Sequence, residues 1–175
     1  MQKTRKNNNY IIKDNIIYMK IQSPKYGNFT CILDINDLEL IKKYKFHIYK
    51  NSTNEKFYAR CYKGVVNGKE KSEALHRLIM NTPTGLQTDH INRDTLDNRR
   101  CNLRICTIAE NKQNQDAQKN NKSSGHKNIY WCREQNKWRV ALRLNQKLIS
   151  FGRYTELEEA IKVAEDARKK MFKFS

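Results

Sequence analysis

The chain has 175 residues, with 35 Lys or Arg against 18 Asp or Glu, for a formal net charge of +17. That excess implies a polyanionic partner, most simply double-stranded DNA, with RNA as the other nucleic-acid possibility. The sequence has no apolar run long enough to span a bilayer and no opening charged-then-apolar segment, so a membrane partner is not expected and a cytoplasmic or nucleoid location is.

The length permits one ordinary domain or two small ones. Cys31, Cys61, Cys101, Cys106 and Cys132 are odd in number and form no C-x-x-C pair. A disulfide framework is therefore not expected. Reduced, buried thiols are the expected state. A structural zinc built on Cys101 and Cys106 is conceivable but is not the preferred reading.

In chain order, residues 1–9 are basic and Asn-rich and read as an arm. Residues 16–21 and 29–33 are strand-like, with turn chemistry at Pro24, Gly27 and Asn28 between them. Asn36 and Asp37 are placed to cap a short helix through Tyr44. Residues 57–62 form another expected strand, followed by a hairpin at Gly64 and Gly68. Ser72 is placed to cap a helix carrying Leu75, Leu78 and Ile79. His76 on that helix reads as a packed histidine in preference to a substrate contact.

Residues 85–88 predict a short strand that delivers Asp89 and His90. Residues 92–98 are polar without apolar period and predict a loop. Residues 102–105 predict the return strand. Thr107 and Glu110 have capping-box spacing, which starts a helix carrying Asn111. The expected unit is a β-β-α hairpin and helix, with Asp89 at a strand end opposite Asn111. These groups suit phosphodiester hydrolysis. Asp89 and Asn111 are hard oxygen donors for Mg²⁺ or Mn²⁺. His90 is the candidate base that takes a proton from water. Arg99, Arg100 and Arg104 beside them read as phosphate contacts.

Residues 113–124 are polar and predict the tail of that helix and a linker. The expected boundaries are 1–114, a linker at 115–124, and a second domain at 125–175. In the second domain residues 128–133 and 137–145 predict strands, and 147–154 a third. Trp138, Val140, Leu142 and Leu144 share one face, while Lys137, Arg139, Ala141 and Arg143 share the other. Thr155 and Glu158 repeat the capping-box spacing. The following helix carries an apolar stripe of Leu157, Ala160, Ile161, Ala164, Ala167 and Met171. A three-stranded antiparallel sheet would cover that stripe and leave a basic outer face. Arg139 and Arg143, with Tyr130 and Lys147, are the expected DNA contacts there, since Arg is the usual reader of guanine.

Two resemblances follow from these residues. Leu75-His76-Arg77-Leu78-Ile79, Asp89-His90-Ile91-Asn92, Leu96-Asp97-Asn98-Arg99-Arg100, Asn102-Leu103-Arg104 and Glu110-Asn111 resemble the HNH endonucleases carried by phages and introns. Ser124-Gly125-His126-Lys127-Asn128-Ile129-Tyr130-Trp131, Lys137-Trp138-Arg139-Val140, Phe151-Gly152-Arg153-Tyr154 and Glu158-Glu159-Ala160 look like an AP2 DNA-binding domain. The resemblances imply an α+β protein in which a β-β-α-metal domain, preceded by a small β-rich unit, cuts DNA. An AP2-like sheet packed on one helix would bind it. They also imply Asp89 and Asn111 as ligands of one divalent ion, His90 as general base, and Asn102 as a loop-bracing residue. The motif closes with Asn111, where many HNH proteins have His. That variant still supplies an oxygen ligand.

The expected activity is a metal-dependent homing endonuclease acting on double-stranded DNA, with no small-molecule substrate. The products would be 5′-phosphate and 3′-hydroxyl ends. The rival is a DNA-binding regulator with an inactive nuclease site. An RNA-binding module ranks last, because the expected outer face carries more Arg than aromatic rings. Whether a monomer nicks or a homodimer cuts both strands is left open by the sequence.

Overall fold

The computed structural model describes residues 7–114, 123–144 and 147–173. They fall into two compact units, Met1–Ile108 and Ala109–Ser175. Most of the expected arm, the Asn145-Gln146 turn and residues 115–122 of the expected linker lie outside the described residues. The division between units falls after the first residue of the helix that carries Asn111.

The first unit opens with β1 (Tyr10–Lys13), β2 (Ile16–Ser23) and β3 (Gly27–Asp34), a three-stranded antiparallel sheet in that order. Asp14 and Asn15 both have positive φ. Short polar side chains tolerate that conformation, so the two residues make the tight turn from β1 to β2. A 3₁₀ turn at Ile35–Asp37 leads into α1 (Leu38–Lys43). Then come β4 (Phe46–Lys50), β5 (Phe57–Val66) and β6 (Lys69–Ala74), a second antiparallel sheet. The helix α2 (Leu75–Met80) follows, then β7 (Gln87–His90) and β8 (Leu103–Cys106), which pair with each other. Ile17, Met19, Ile21, Cys31 and Leu33 from the first sheet meet Phe46, Ile48, Ala59 and Cys61 from the second in one core, closed by Ile41, Leu75, Ile79 and Leu103.

Three expected caps are corrected. Ser72 does not cap a helix: it lies in β6 opposite Tyr62, so its backbone is extended and α2 starts only after Ala74. Asp37 stands at the N-cap of α1 but makes no cap bond, because its carboxylate accepts from Arg100 Nη2 at 2.7 Å. In the second unit Glu156, not Thr155, is the N-cap residue, since the strand before it runs through Tyr154. The strand β4 is an element the sequence reading did not find. Gly64 sits at a bulge of β5, and the β5–β6 turn itself is Asn67-Gly68.

The second unit holds α3 (Ile108–Asn114), whose first residue lies at the division. It continues with β9 (Ile129–Cys132), β10 (Lys137–Leu144), β11 (Lys147–Tyr154) and α4 (Leu157–Met171). The sheet is antiparallel with β10 in the centre. Ile129, Val140 and Leu142 pack on Ala160, Ala164 and Ala167 of α4, and Trp138 is half-buried against the same cluster. Small alanines let the helix lie close to the strands. Gly152, at φ +113, sits at the bulge of β11, where a Cβ would come within 2.8 Å of the Tyr154 hydroxyl. No described helix is long and apolar enough to cross a membrane.

The five cysteines are free. Cys31, Cys61 and Cys106 are buried as expected, but Cys101 is exposed and Cys132 half-buried. Cys101 lies in a 3₁₀ turn between the loop and β8, where its side chain faces outward.

Candidate functional site

The β7–β8 hairpin sets the site. Its register puts Asp89 opposite Arg104 and His90 opposite Leu103. Alternation along β7 then sends Thr88 and His90 inward and Asp89 to the other side. His90 is only 4% exposed. Its ring lies 5.0 Å from His76 and 6.3 Å from Tyr58, and Tyr58 and His76 are 5.7 Å apart. Three rings thus pack around one another, and Nε2 of His90 lies 3.3 Å from Oδ1 of Asn98.

Burial pushes the His90 imidazole below its ordinary range, against upward pulls from the Asn98 hydrogen bond and the Asp89 charge. Burial thus favours the neutral imidazole, the form that can accept a proton. His76 is pushed down further, to about 3, chiefly by burial and then by His90. The expected packed state of His76 agrees with its position against the His90 ring.

His76 also bears on stability. Its folded-state value lies below the ordinary 6.5, so near pH 5 the unfolded chain binds a proton that the folded chain does not. Its stabilising contribution is complete above about pH 6.5 and is lost as pH falls toward 3. In urea melts between about pH 7 and pH 4, His76→Leu should show a shallower fall than wild type, by up to about 1.4 kcal/mol per pH unit. Identical slopes would mean that His76 does not titrate in this window.

Asp89 is held by Arg104 across the hairpin, with Nε at 3.0 Å and Nη2 at 2.7 Å from Oδ2. Both side chains are largely buried, at 11% and 19% exposure. Arg99 forks onto Asp97 at 2.8 and 2.6 Å, which holds the Asp97 carboxyl below the usual range. Arg100 pairs with Asp37 at 2.7 Å. All three arginines read as phosphate contacts thus already have carboxylate partners. A phosphate would have to share or displace them.

The loop before β8 is anchored from both sides. Asn102 Oδ1 accepts from the Asn92 amide at 2.9 Å, and its Nδ2 donates to the Asp97 carbonyl at 2.8 Å. The Ile91 amide donates to the Asn102 carbonyl at 2.8 Å. From outside, β3 clamps the loop: Ile32 N donates to Leu96 O at 2.9 Å, and Asn98 N to Ile32 O at 2.7 Å. Arg100 N donates to Asp34 Oδ2 at 2.7 Å. The loop expected over residues 92–98 is present, and its last two residues turn inward. Asp97 and Asn98 are 3% and 1% exposed, because β3 supplies the backbone partners that water would otherwise provide.

Asn111 lies on α3 in the second unit. Lys127 Nζ donates to the Lys112 and Gln113 carbonyls near the end of that helix. On the sheet, register places Tyr130 and Arg153 on either side of Arg139, and Leu148 beside Arg143. These side chains share the face opposite α4. Asn128, Tyr130, Arg139, Ala141, Arg143 and Leu148 line a shallow depression there. Within it Arg139 Nε and Asn128 Oδ1 are buried with no hydrogen-bond partner among the described residues. Lys147 is exposed but stands opposite Leu144, on the helix side of the sheet, away from Arg143.

Sequence reasoning named Asn98 but not its contact with His90, and it gave no site role to Tyr58, Asn128 or Arg153. Alternation along β11 was a usable signal for Arg153. Leu96, the one apolar residue of the loop, was the hint that the segment around Asn98 turns inward. Tyr58 had no local signal.

Residues 73–113 match the family model described as HNH endonuclease. This supports a nuclease acting on DNA. The match covers α2, β7, β8 and most of α3. No curated protein and no solved structure matches the chain. Among the described residues no group of three His, Cys, Asp or Glu side chains could hold a metal ion. Asp89 offers a carboxylate oxygen and Asn111 an amide oxygen, the hard donor types that suit a divalent ion such as Mg²⁺ or Mn²⁺.

Proposed function

We propose that this protein is a metal-dependent, sequence-selective DNA endonuclease of the homing type. In this reading a β-β-α-metal unit cuts, and an AP2-like sheet binds DNA and supplies much of the sequence preference. The observation that carries it is a buried His90 next to the Asp89 carboxylate on one hairpin, inside the segment that matches the nuclease model.

Asp89 and Asn111 would hold one Mg²⁺ or Mn²⁺ ion. When bound, that ion supplies positive charge to the scissile phosphate and to the oxygen that leaves. His90 removes a proton from water, and the oxygen attacks phosphorus in line. The 3′ oxygen departs, leaving a 5′ phosphate and a 3′ hydroxyl. Asn102 ties Asn92 to Asp97 and keeps the loop in one conformation. Arg104 holds Asp89 in a fixed direction and balances its charge in the absence of other cations.

Supercoiled plasmid incubated with Mg²⁺ or Mn²⁺ tests the reading. Cleavage is expected with either ion and should vanish in EDTA, and strand-resolved mapping should find 5′-phosphate ends. Tight binding without cleavage under any ion would favour the regulator instead.

Recognition is tested separately. Arg139→Ala and Arg143→Ala should each weaken binding by about 1–3 kcal/mol and relax preference at one base pair, if each reads a guanine. Selection from a randomised DNA library measures this. A uniform loss across all sequences would make them phosphate contacts.

A further inference from the structure

We infer that Asn98 is a positioning residue that fixes the tautomer of His90, so that Nε2 carries the hydrogen and Nδ1 carries the basic lone pair. The inference rests on the nuclease reading for its consequence, but not for its geometry. Asn98 is 1% exposed. Its backbone amide donates to Ile32 O at 2.7 Å, which ties it to β3. Its side-chain Nδ2 donates to Leu96 O at 3.0 Å. That second bond orients the amide, because a carbonyl can only accept. Oδ1 is left facing His90 Nε2 at 3.3 Å. An amide oxygen is also only an acceptor, so the nitrogen it faces must be the N–H of the neutral ring. The reacting nitrogen is therefore Nδ1.

The proton balance follows. A water O–H bond breaks, an Nδ1–H bond forms, and the electron pair stays on the oxygen that attacks phosphorus. The ring becomes an imidazolium. Asn98 Oδ1 keeps accepting from Nε2–H, and that bond strengthens as the ring gains charge.

Long-range ¹H–¹⁵N correlation on ¹⁵N-histidine protein, with His90 assigned from its loss in His90→Gln, reads the tautomer directly. Wild type should show protonated Nε2 and unprotonated Nδ1. A dominant Nδ1–H form would overturn the inference. Two variants then separate positioning from packing. Asn98→Leu removes the acceptor and the Leu96 bond. Asn98→Asp also loses the amide donor to Leu96 but keeps an acceptor oxygen. Asn98→Leu should mix the tautomers and lower the single-turnover rate about 10²-fold, with the metal midpoint and DNA affinity unchanged. Asn98→Asp should keep the Nε2–H form and most of the rate. Equal loss in both variants, with the wild-type tautomer retained in each, would show a merely structural role. If wild type has the Nε2–H form yet never cleaves DNA, the nuclease reading fails and the tautomer assignment stands.

Discussion

His90→Gln is expected to abolish cleavage while DNA affinity stays close to that of wild type. Loss of a general base typically costs on the order of 10²–10⁴ in rate. Glutamine is polar and of similar reach, and it cannot take a proton at neutral pH. The ring is buried against His76 and Tyr58 and offers little surface of its own to DNA, so binding has little reason to change. Single-turnover cleavage and gel-shift affinity, measured on the same preparations, decide the matter. Cleavage at the wild-type rate would remove His90 from the chemistry. A parallel loss of affinity would show that the site had collapsed.

Asp89→Asn is expected to raise the metal concentration needed for half-maximal cleavage and to lower the maximal rate. In the proposed site the carboxylate is the only anionic donor, and Asn111 would supply a neutral one. The ion pair with Arg104 complicates the result, because both partners are largely buried. Removing one charge leaves the other uncompensated and costs about 3–5 kcal/mol. Thermal melts in EDTA measure that loss apart from metal binding. Adding Arg104→Gln to Asp89→Asn should recover much of the stability and none of the cleavage. An unchanged metal midpoint in Asp89→Asn would mean that this carboxylate is not a ligand.

The hairpin could be read from the sequence because its signals are local. Two short strand-like runs flank a polar loop, and the capping-box pair Thr107 and Glu110 follows the second run. The same holds for β10, where Trp138, Val140 and Leu142 face α4 while Arg139 and Arg143 face away. Caps were read less well. Ser72 and Thr155 have the right chemistry, but strand pairing extends to Ala74 and takes the Ser72 backbone, and α4 begins at Leu157 with Glu156, one residue after Thr155, at its N-cap. Ladder bonds are cooperative along a strand, whereas one capping bond contributes only about 1 kcal/mol.

By itself the sequence determined the polyanionic partner, the residue types of the β7–β8 site, and the alternating sheet packed on an amphipathic helix. All of these depend on charge totals or on spacing within a dozen residues. Only the tertiary structure decided which groups touch His90 and Asp89. Asn98 sits inside because β3, more than sixty residues earlier, offers Ile32 as its backbone partner. His76 and Tyr58 reach the His90 ring from α2 and β5. Arg104 meets Asp89 because the strand register sets them opposite each other. A polar side chain can be buried only where partners satisfy it. Those partners come from distant segments, so their identity is fixed by packing and not by the neighbouring sequence.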